Sequence, residues 1–167
     1  DCIATAFDTE SVKFLVELGQ LCFKVPSGEI TNLPYLRYLG SYGLPVYLST
    51  GMATMLEVSN AVQALETAGT LRKQITVLHC TSVYPAPFDE INLLAMPGLR
   101  ETLKTAVGYS DHSMGIELAI AAVALGAEVI EKHITLDREM PGPDQAASLE
   151  PTELRAMVRS IRNIEKA

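Results

Sequence analysis

Short apolar runs alternate along the whole chain with stretches of helical spacing, and this alternation constrains the fold more than any other feature. Six runs are typical of β-strands: Cys2–Phe7, Cys22–Pro26, Pro45–Ser49, Ile75–Thr81, Ala106–Ser110 and Glu128–Thr135. No Asn-Gly or Asp-Gly hairpin signal separates them, so crossover helices are expected to join parallel strands. The runs are apolar almost throughout, as expected for strands covered on both faces. The pattern predicts an α/β fold of six βα units, either an open doubly wound sheet or a barrel.

Polar residues gather where these runs end, and their positions favour the barrel. They are Thr5, Lys24, Ser27, Ser49, Thr50, Thr81, Ser82, Ser110, His112 and His133. Polar groups that converge from many strand ends are typical of the mouth of a (β/α)8 barrel, whereas no Gly-rich nucleotide-binding loop follows any run. A complete barrel needs about 250 residues. The 167 residues therefore predict a (β/α)8 TIM barrel that is only partly present.

Three of the intervening stretches carry clear helix signals. Thr54 with Glu57 forms a capping-box pattern, and Gly69 supplies the stop of the helix that follows. Residues 115–125 are apolar almost all round, as in a helix that is packed on both sides. After Pro151, apolar residues recur at helical spacing, which predicts a final amphipathic helix.

The chain is acidic, with 13 basic and 20 acidic side chains and a net charge of −7. This balance argues against nucleic-acid binding, which normally uses a basic face. The longest uncharged run, Tyr38–Leu56, is interrupted by glycines and hydroxyl residues and does not predict a membrane span. Three sparse cysteines in apolar segments (Cys2, Cys22 and Cys80) predict reduced, buried thiols in a cytoplasmic protein.

Two histidines stand at the ends of the last two predicted strands. Alternation along a strand places His112 on the same side as Ser110, and His133 on the same side as Glu131. The histidines are about one βα unit apart, so adjacent strands would bring them close together. Two neutral imidazoles make a partial metal site that substrate or water completes; the alternative is a pair of hydrogen-bonded core histidines. His79 lies lower in its strand and is interpreted as structural.

A lysine stands inside an apolar run, where its charge is costly to bury. Lys24 lies in Cys22–Pro26 and is followed by Ser27 and Glu29 around a glycine that allows backbone to approach a ligand. These residues are consistent with a phosphate or carboxylate pocket. They are equally consistent with an edge lysine whose ammonium reaches solvent.

Several longer motifs occur in one order over essentially the whole chain. They are FKVPSGEITN (23–32), LSTGMA (48–53), HCTSVYP (79–85), GYSDHS (108–113), GAEVIEKH (126–133) and MPGPDQAASLEP (140–151). Together they closely resemble the sialic acid synthase (N-acetylneuraminate synthase) family of bacterial sugar-acid enzymes. Several motifs in a fixed order are far more specific than any single one.

The resemblance implies a cytoplasmic transferase with a (β/α)8 barrel. Such enzymes condense phosphoenolpyruvate with N-acetylmannosamine or a related amino sugar to a nine-carbon sialic-type acid and release phosphate. They use a divalent metal, manganese in the first place, with magnesium or cobalt as alternatives. The positions that match the family are His112 and His133 for the metal; Lys24, Ser27, Thr5, Ser110 and Ser82 for phosphoenolpyruvate; Tyr84 and Asp144 for the sugar; and Glu29 beside the reacting atoms. Lys24 and Glu29 are the catalytic candidates.

Some positions depart from the family pattern. Ser82 stands where many members carry Asn, and Gln145 stands where many carry His. The run 146–151 favours the sialic or legionaminic branch over the pseudaminic one without deciding the sugar. The alternatives are another barrel carboligase or aldolase that forms a Schiff base at Lys24, and an inactive fragment that is only a binding remnant.

The resemblance also predicts what surrounds these residues. The chain corresponds to strands 3 to 8, the C-terminal three quarters of the catalytic barrel. The first two strands and the small C-terminal antifreeze-like domain would be missing, so the fragment alone is expected to be inactive. The small-molecule substrates would be its partners, with no nucleic acid and no membrane, and the full-length form would be a homodimer.

Overall fold

The computed structural model describes residues 2–167 and contains five strands and six α-helices in alternation. The strands are β1 (Phe23–Val25), β2 (Val46–Ser49), β3 (Ile75–Cys80), β4 (Ala106–Asp111) and β5 (Ile130–Lys132). The helices are α1 (Thr9–Glu17), α2 (Leu33–Gly40), α3 (Met55–Ala68), α4 (Ala95–Leu103), α5 (Glu117–Ala124) and α6 (Pro151–Ile164). The chain forms two compact units. The first contains the described residues up to Leu78 with Leu99–Ala106, and the second contains His79–Gly98 with Val107–Ala167.

The first unit is built on parallel strands. Phe23 of β1 lies opposite Val46 of β2, which lies opposite Ile75 of β3. All three side chains are buried, at 2 % exposure or less, because both faces of the strands are covered. The parallel arrangement that the apolar runs predict is therefore present.

Helices α2 and α3 of this unit approach each other closely. A Cβ atom on Gly40 would come within 2.6 Å of the Leu65 carbonyl oxygen, so only glycine fits there. The predicted capping box is confirmed, since Thr54 Oγ1 accepts from the Glu57 amide at 3.3 Å and the Glu57 carboxylate accepts from the Thr54 amide at 2.7 Å. Gly69 ends α3 at a φ of 138°, which favours glycine.

The prediction of a strand over Cys2–Phe7 is wrong, because residues 2–7 belong to no strand. The Gln20 side chain forms the hydrogen bonds with the Ala4 backbone that a neighbouring strand would otherwise form. The amide group of Gln20 accepts from the Ala4 N–H at 2.9 Å and donates to the Ala4 carbonyl at 3.0 Å. The same nitrogen donates to the Cys22 carbonyl at 2.9 Å, just before β1. The segment is thus tied to the start of β1 without a backbone ladder.

The second unit pairs β4 with β5, also in parallel, with Tyr109 opposite Ile130. The predicted run Glu128–Thr135 is longer than the observed β5. Its last residues pair with the chain before α6, since Leu149 N donates to the His133 carbonyl and Thr135 N donates to the Leu149 carbonyl, both at 2.9 Å. Helices α5 and α6 enclose a small core of Ala119, Leu149 and Met157.

The cysteines agree only in part with the prediction of buried thiols. All three are free; Cys80 is buried, Cys22 is half-buried and Cys2 is exposed, because its segment forms no strand. Within residues 2–167, no helix combines the length and the apolar character needed to cross a membrane.

Candidate active site

In the first unit, a lysine lies in the middle of β1. Lys24 is half-buried between the buried side chains of Phe23 and Val25. Its Nζ donates a hydrogen bond to Ser49 Oγ at 2.9 Å and a longer one to the Val25 carbonyl at 3.4 Å. Ser49 ends the neighbouring strand β2 and is itself buried. The Ser49 hydroxyl thus helps to orient the ammonium.

The turn after β1 carries two further candidates. Ser27–Glu29 forms one turn of 3-10 helix, and the Ser27 hydroxyl accepts from the Gly51 amide at 2.9 Å. This bond ties the segment after β1 to the segment after β2. The Glu29 carboxylate accepts from the Asn32 side chain at 2.8 Å, so its position is held by the residue that caps α2. Thr5 lies exposed in the segment that Gln20 ties to β1.

In the second unit, the ends of β4 and β5 bring side chains together in pairs. The register places Ser110 opposite Glu131, and Ser110 Oγ donates to Glu131 Oε1 at 2.7 Å. His112 follows Ser110 by two residues, and His133 follows Glu131 by two residues. The ring centroids of the two histidines are 5.4 Å apart, and the angle between the ring planes is 90°. The structure therefore brings the two predicted histidines together on the side of Ser110 and Glu131.

The surroundings of His112 favour a neutral ring with its proton on Nδ1. His112 is 5 % exposed, and its Nδ1 lies 2.7 Å from the Thr81 carbonyl oxygen, which can only accept. Burial lowers the pKa of His112; nearby His133 adds to this, while the Thr81 carbonyl and Glu131 oppose it. Nε2 lies 3.3 Å from Ser110 Oγ. A ring of this tautomer has its lone pair on Nε2, as a metal ligand requires.

Two residues predicted to contact sugar lie against the histidines. The ring centroid of Tyr84 is 4.1 Å from that of His112 and 5.6 Å from that of His133. Burial raises the pKa of Tyr84, and the negative charge of Asp144 adds to the shift. Asp144 Oδ2 lies 3.6 Å from His133 Nδ1, close enough for electrostatic contact with the ring. Tyr84 and Asp144 thus belong to the same group of side chains as the histidines.

The remaining predicted residues of this unit lie on β3 or just after it. Ser82 is half-buried just after β3. His79 has its Nε2 2.7 Å from the Ile91 carbonyl oxygen and stacks on Tyr109 with a centroid distance of 6.0 Å. Those contacts are typical of a structural histidine, which is the interpretation made from the sequence.

The sequence reasoning missed a buried ion pair next to the histidines. Lys132 Nζ lies 2.9 Å from Asp111 Oδ2, with the two side chains 2 % and 0 % exposed. The signal was present in the alternation itself. If Ser110 and Glu131 face one side, then Asp111 and Lys132 must face the other side together, and they carry opposite charges.

The histidine pair fits a divalent metal as a partial donor set. Neutral imidazole nitrogens are common ligands, and the bond from His112 Nδ1 to the Thr81 carbonyl is the outer contact that typically orients such a ligand. Within residues 2–167, no group of three or more His, Cys, Asp or Glu side chains is arranged to hold a metal ion. Substrate or water can fill further coordination positions of such a site.

Comparisons with known proteins identify the family of this chain. The model of the NeuB family matches residues 1–167. The chain is 55 % identical over 165 residues to N,N'-diacetyllegionaminic acid synthase of Campylobacter jejuni, covering 99 % of this chain and 49 % of that protein. It is 41 % identical over 165 residues to human N-acetylneuraminate-9-phosphate synthase, covering 98 % and 45 %.

A solved structure is also similar over nearly the whole chain. The crystal structure of N-acetylneuraminic acid (sialic acid) synthetase from Leptospira borgpetersenii in complex with citrate has a TM-score of 0.92 and 39 % identity, covering 98 % of this chain and 56 % of that one. The chain thus spans about half the length of the proteins it matches. The fold prediction, a partial (β/α)8 barrel, is confirmed, with five strands in place of six. On the match over its whole length, this chain belongs to the NeuB family.

Proposed function

We propose that this chain carries the phosphoenolpyruvate and metal sites of a sialic-type acid synthase. The reaction would join phosphoenolpyruvate to N-acetylmannosamine or a related amino sugar, giving a nine-carbon 2-keto acid and inorganic phosphate. The observation that carries the proposal is the pair of perpendicular imidazoles, His112 and His133, with a ring-centroid distance of 5.4 Å and Tyr84 against both. Membership of the NeuB family supports the same reaction class.

His112 and His133 would hold the divalent ion, for which manganese is the first choice and magnesium or cobalt the alternatives. When bound there, the ion supplies Lewis acidity toward a carbonyl oxygen such as the aldehyde of an open-chain sugar. The role of the protein residues is to orient the ligands. The Thr81 carbonyl holds His112 through its Nδ1, and the Asp144 carboxylate lies 3.6 Å from Nδ1 of His133. Tyr84, against both rings, would shield this group from water and contact the sugar.

Lys24 would bind the anionic groups of phosphoenolpyruvate. Its ammonium is held by Ser49 at 2.9 Å, and charge-assisted hydrogen bonds to phosphate or carboxylate are among the strongest that proteins make. The hydroxyls assigned to the same substrate are those of Thr5, Ser27, Ser82 and Ser110. Their number suits an anion with several oxygen atoms.

The chemistry then needs one carbon–carbon bond and one water. C3 of phosphoenolpyruvate attacks the aldehyde carbon, and the electron-poor C2 takes up water with loss of a proton. The adduct collapses to a keto group and expels phosphate. Glu29 ends the 3-10 turn that follows β1, and the Asn32 side chain donates to its carboxylate at 2.8 Å. This carboxylate would position or deprotonate the water.

Two related amino sugars are candidates for the acceptor. Similarity to a protein named N,N'-diacetyllegionaminic acid synthase at 55 % identity favours its precursor sugar as a second candidate beside N-acetylmannosamine. A Schiff-base aldolase acting through Lys24 would be trapped by borohydride in the presence of a keto substrate, whereas the proposed route forms no imine. Phosphate release with each sugar, with and without Mn2+, separates these functions. The assay needs the longest polypeptide that contains this sequence, because the chain spans about half of its relatives.

Replacing His112 with alanine should abolish stoichiometric Mn2+ binding in calorimetry. The change removes one of two protein donors, and His133 alone cannot hold the ion. His79→Ala, in the same unit but bonded to the Ile91 carbonyl, is the matched control and should still bind Mn2+. Retained stoichiometric binding by folded His112→Ala would disprove the metal assignment.

Replacing Glu29 with glutamine should lower the rate of phosphate release by about 100-fold or more, since general acid–base groups typically contribute about 10²–10⁴-fold. The amide keeps the hydrogen-bonding shape but cannot accept a proton. Glu90→Gln, an exposed acid of the second unit, serves as the control. Near-normal turnover of Glu29→Gln would mean that another group handles the water.

A further inference from the structure

A buried ion pair lies behind the candidate metal histidines, on the other side of β4 and β5. Lys132 Nζ and Asp111 Oδ2 are 2.9 Å apart, and neither side chain is more than 2 % exposed. We propose that Asp111 and Lys132 are positioning residues that set the separation and the angle between His112 and His133. The inference rests on the proposed function of those histidines and names two residues that act through them.

The register of the strands connects the ion pair to the histidines. Asp111 lies directly opposite Lys132, and each immediately precedes one histidine of the pair. Facing residues on paired strands interact as a unit, and a shift by one residue turns every side chain to the other side. Such a slip would leave Asp111 and Lys132 buried without each other and would separate His112 from His133. The ion pair therefore penalises the registers in which the histidines do not meet.

The same pair also fixes the chain on the far side of His112. Asp111 Oδ1 accepts from the Ser113 amide at 2.9 Å and from the Ser113 hydroxyl at 2.6 Å. Lys132 Nζ donates to the Ser113 carbonyl, so both partners hold the residue that follows His112. Tyr109 donates a further hydrogen bond to Asp111 Oδ1 at 3.2 Å. His112 is thus held between two residues whose positions the ion pair determines.

Stability alone does not explain why this position is ionic. A buried ion pair is often no more stabilising than apolar residues of similar size, because both charges lose their hydration. What a neutral pair would lack is the preference for one register and the hydrogen bond from Lys132 to the Ser113 carbonyl. The expected consequence of removing both charges is a folded protein in which the two imidazoles no longer keep their mutual placement.

The test compares wild type with Lys132→Met, with the double variant Asp111→Asn/Lys132→Met, and with Met157→Ala. The double variant removes both charges at similar volume, so it should stay folded by circular dichroism even if Lys132→Met does not. Met157→Ala damages the core that packs against Ile130 of β5 and leaves both charges in place, so it is the control for lost stability. Two readouts apply to the longest polypeptide that contains this sequence. One is the nuclear Overhauser contact between the His112 and His133 rings without metal, and the other is Mn2+ affinity by calorimetry.

The double variant should lose the contact between the two rings and bind Mn2+ about 10- to 100-fold more weakly, the usual effect of changing groups that orient metal ligands. Met157→Ala should keep both the contact and the affinity. A folded double variant that keeps the ring contact of wild type overturns the positioning role, whatever its Mn2+ affinity. Wild type that shows the ring contact and binds no Mn2+ overturns the proposed metal site instead, and the ring contact in the double variant then still decides the role of Asp111 and Lys132.

Discussion

Each of the two units holds a lysine on a strand, and the surroundings of the two lysines differ. In the first unit, Lys24 is half-buried and its ammonium donates to Ser49, a neutral hydroxyl, at 2.9 Å. In the second unit, Lys132 is buried and its ammonium lies 2.9 Å from the carboxylate of Asp111. Both lysines stand on parallel strands, but Lys24 is half-buried whereas the Lys132 side chain is only 2 % exposed.

The difference shows how the surroundings divide one residue type between two tasks. A half-buried lysine keeps its ammonium within reach of a ligand anion, and the hydroxyl of Ser49 helps to orient it. A lysine that is meant to fix geometry must be fully compensated, because an uncompensated buried charge is costly. On this basis, changes at Lys132 should affect folding, and changes at Lys24 should affect ligand binding.

Replacing Lys132 with methionine should have the largest effect on stability. The change leaves Asp111 buried without its cation, and breaking a buried ion pair in this way typically costs about 3–5 kcal/mol. Urea unfolding followed by circular dichroism measures the loss. Lys73→Met is the matched control, since Lys73 is exposed in the first unit, and it should change stability by less than about 0.5 kcal/mol. The contrast between the units breaks down if Lys132→Met unfolds at the same urea concentration as Lys24→Met.

In the second unit, strand alternation predicts both the side that carries the histidines and the opposite side that carries the ion pair. Alternation from Ser110 to His112 and from Glu131 to His133 correctly placed four side chains on one side, because a strand has a period of two. The same rule applied once more would have paired Asp111 with Lys132.

Other parts of the fold depended on partners that the local sequence does not reveal. The apolar run at residues 2–7 has the composition of a strand, but the amide of Gln20 takes the hydrogen bonds of Ala4. Likewise, β5 is shorter than its apolar run because His133 and Thr135 pair with Leu149, which is distant in sequence. The capping box at Thr54, in contrast, involves residues three apart and was predicted correctly.

Replacing Lys24 with methionine should weaken phosphoenolpyruvate binding while leaving stability nearly unchanged. A hydrogen bond to a charged group contributes about 1.5–3 kcal/mol, so affinity should fall by about 10- to 100-fold. Calorimetry with phosphoenolpyruvate measures the loss, with Lys73→Met as the control of equal chemistry. Mn2+ binding by Lys24→Met should match that of wild type, because Lys24 is not one of the two candidate metal ligands. Unchanged phosphoenolpyruvate affinity would assign Lys24 to packing at the strand end.

Lowering the pH should produce the smallest effect and should act on the second unit through His112. Because burial lowers the pKa of His112, the folded protein takes up the proton at a lower pH than the unfolded chain, whose ordinary histidine value is 6.5. Unfolding therefore binds a proton in the window just below 6.5, so stability is complete above that value and falls as the pH drops toward the pKa of the folded state. Each unit of difference between the two pKa values is worth about 1.4 kcal/mol.

Urea unfolding above and below this window measures the slope, and His112→Gln should flatten it. Glu57 and Glu66 of the first unit, whose pKa values are lowered by hydrogen bonds with Thr54 and Arg72, lose their contribution only at more acidic pH. A slope just below 6.5 that persists in His112→Gln would show that another group titrates there.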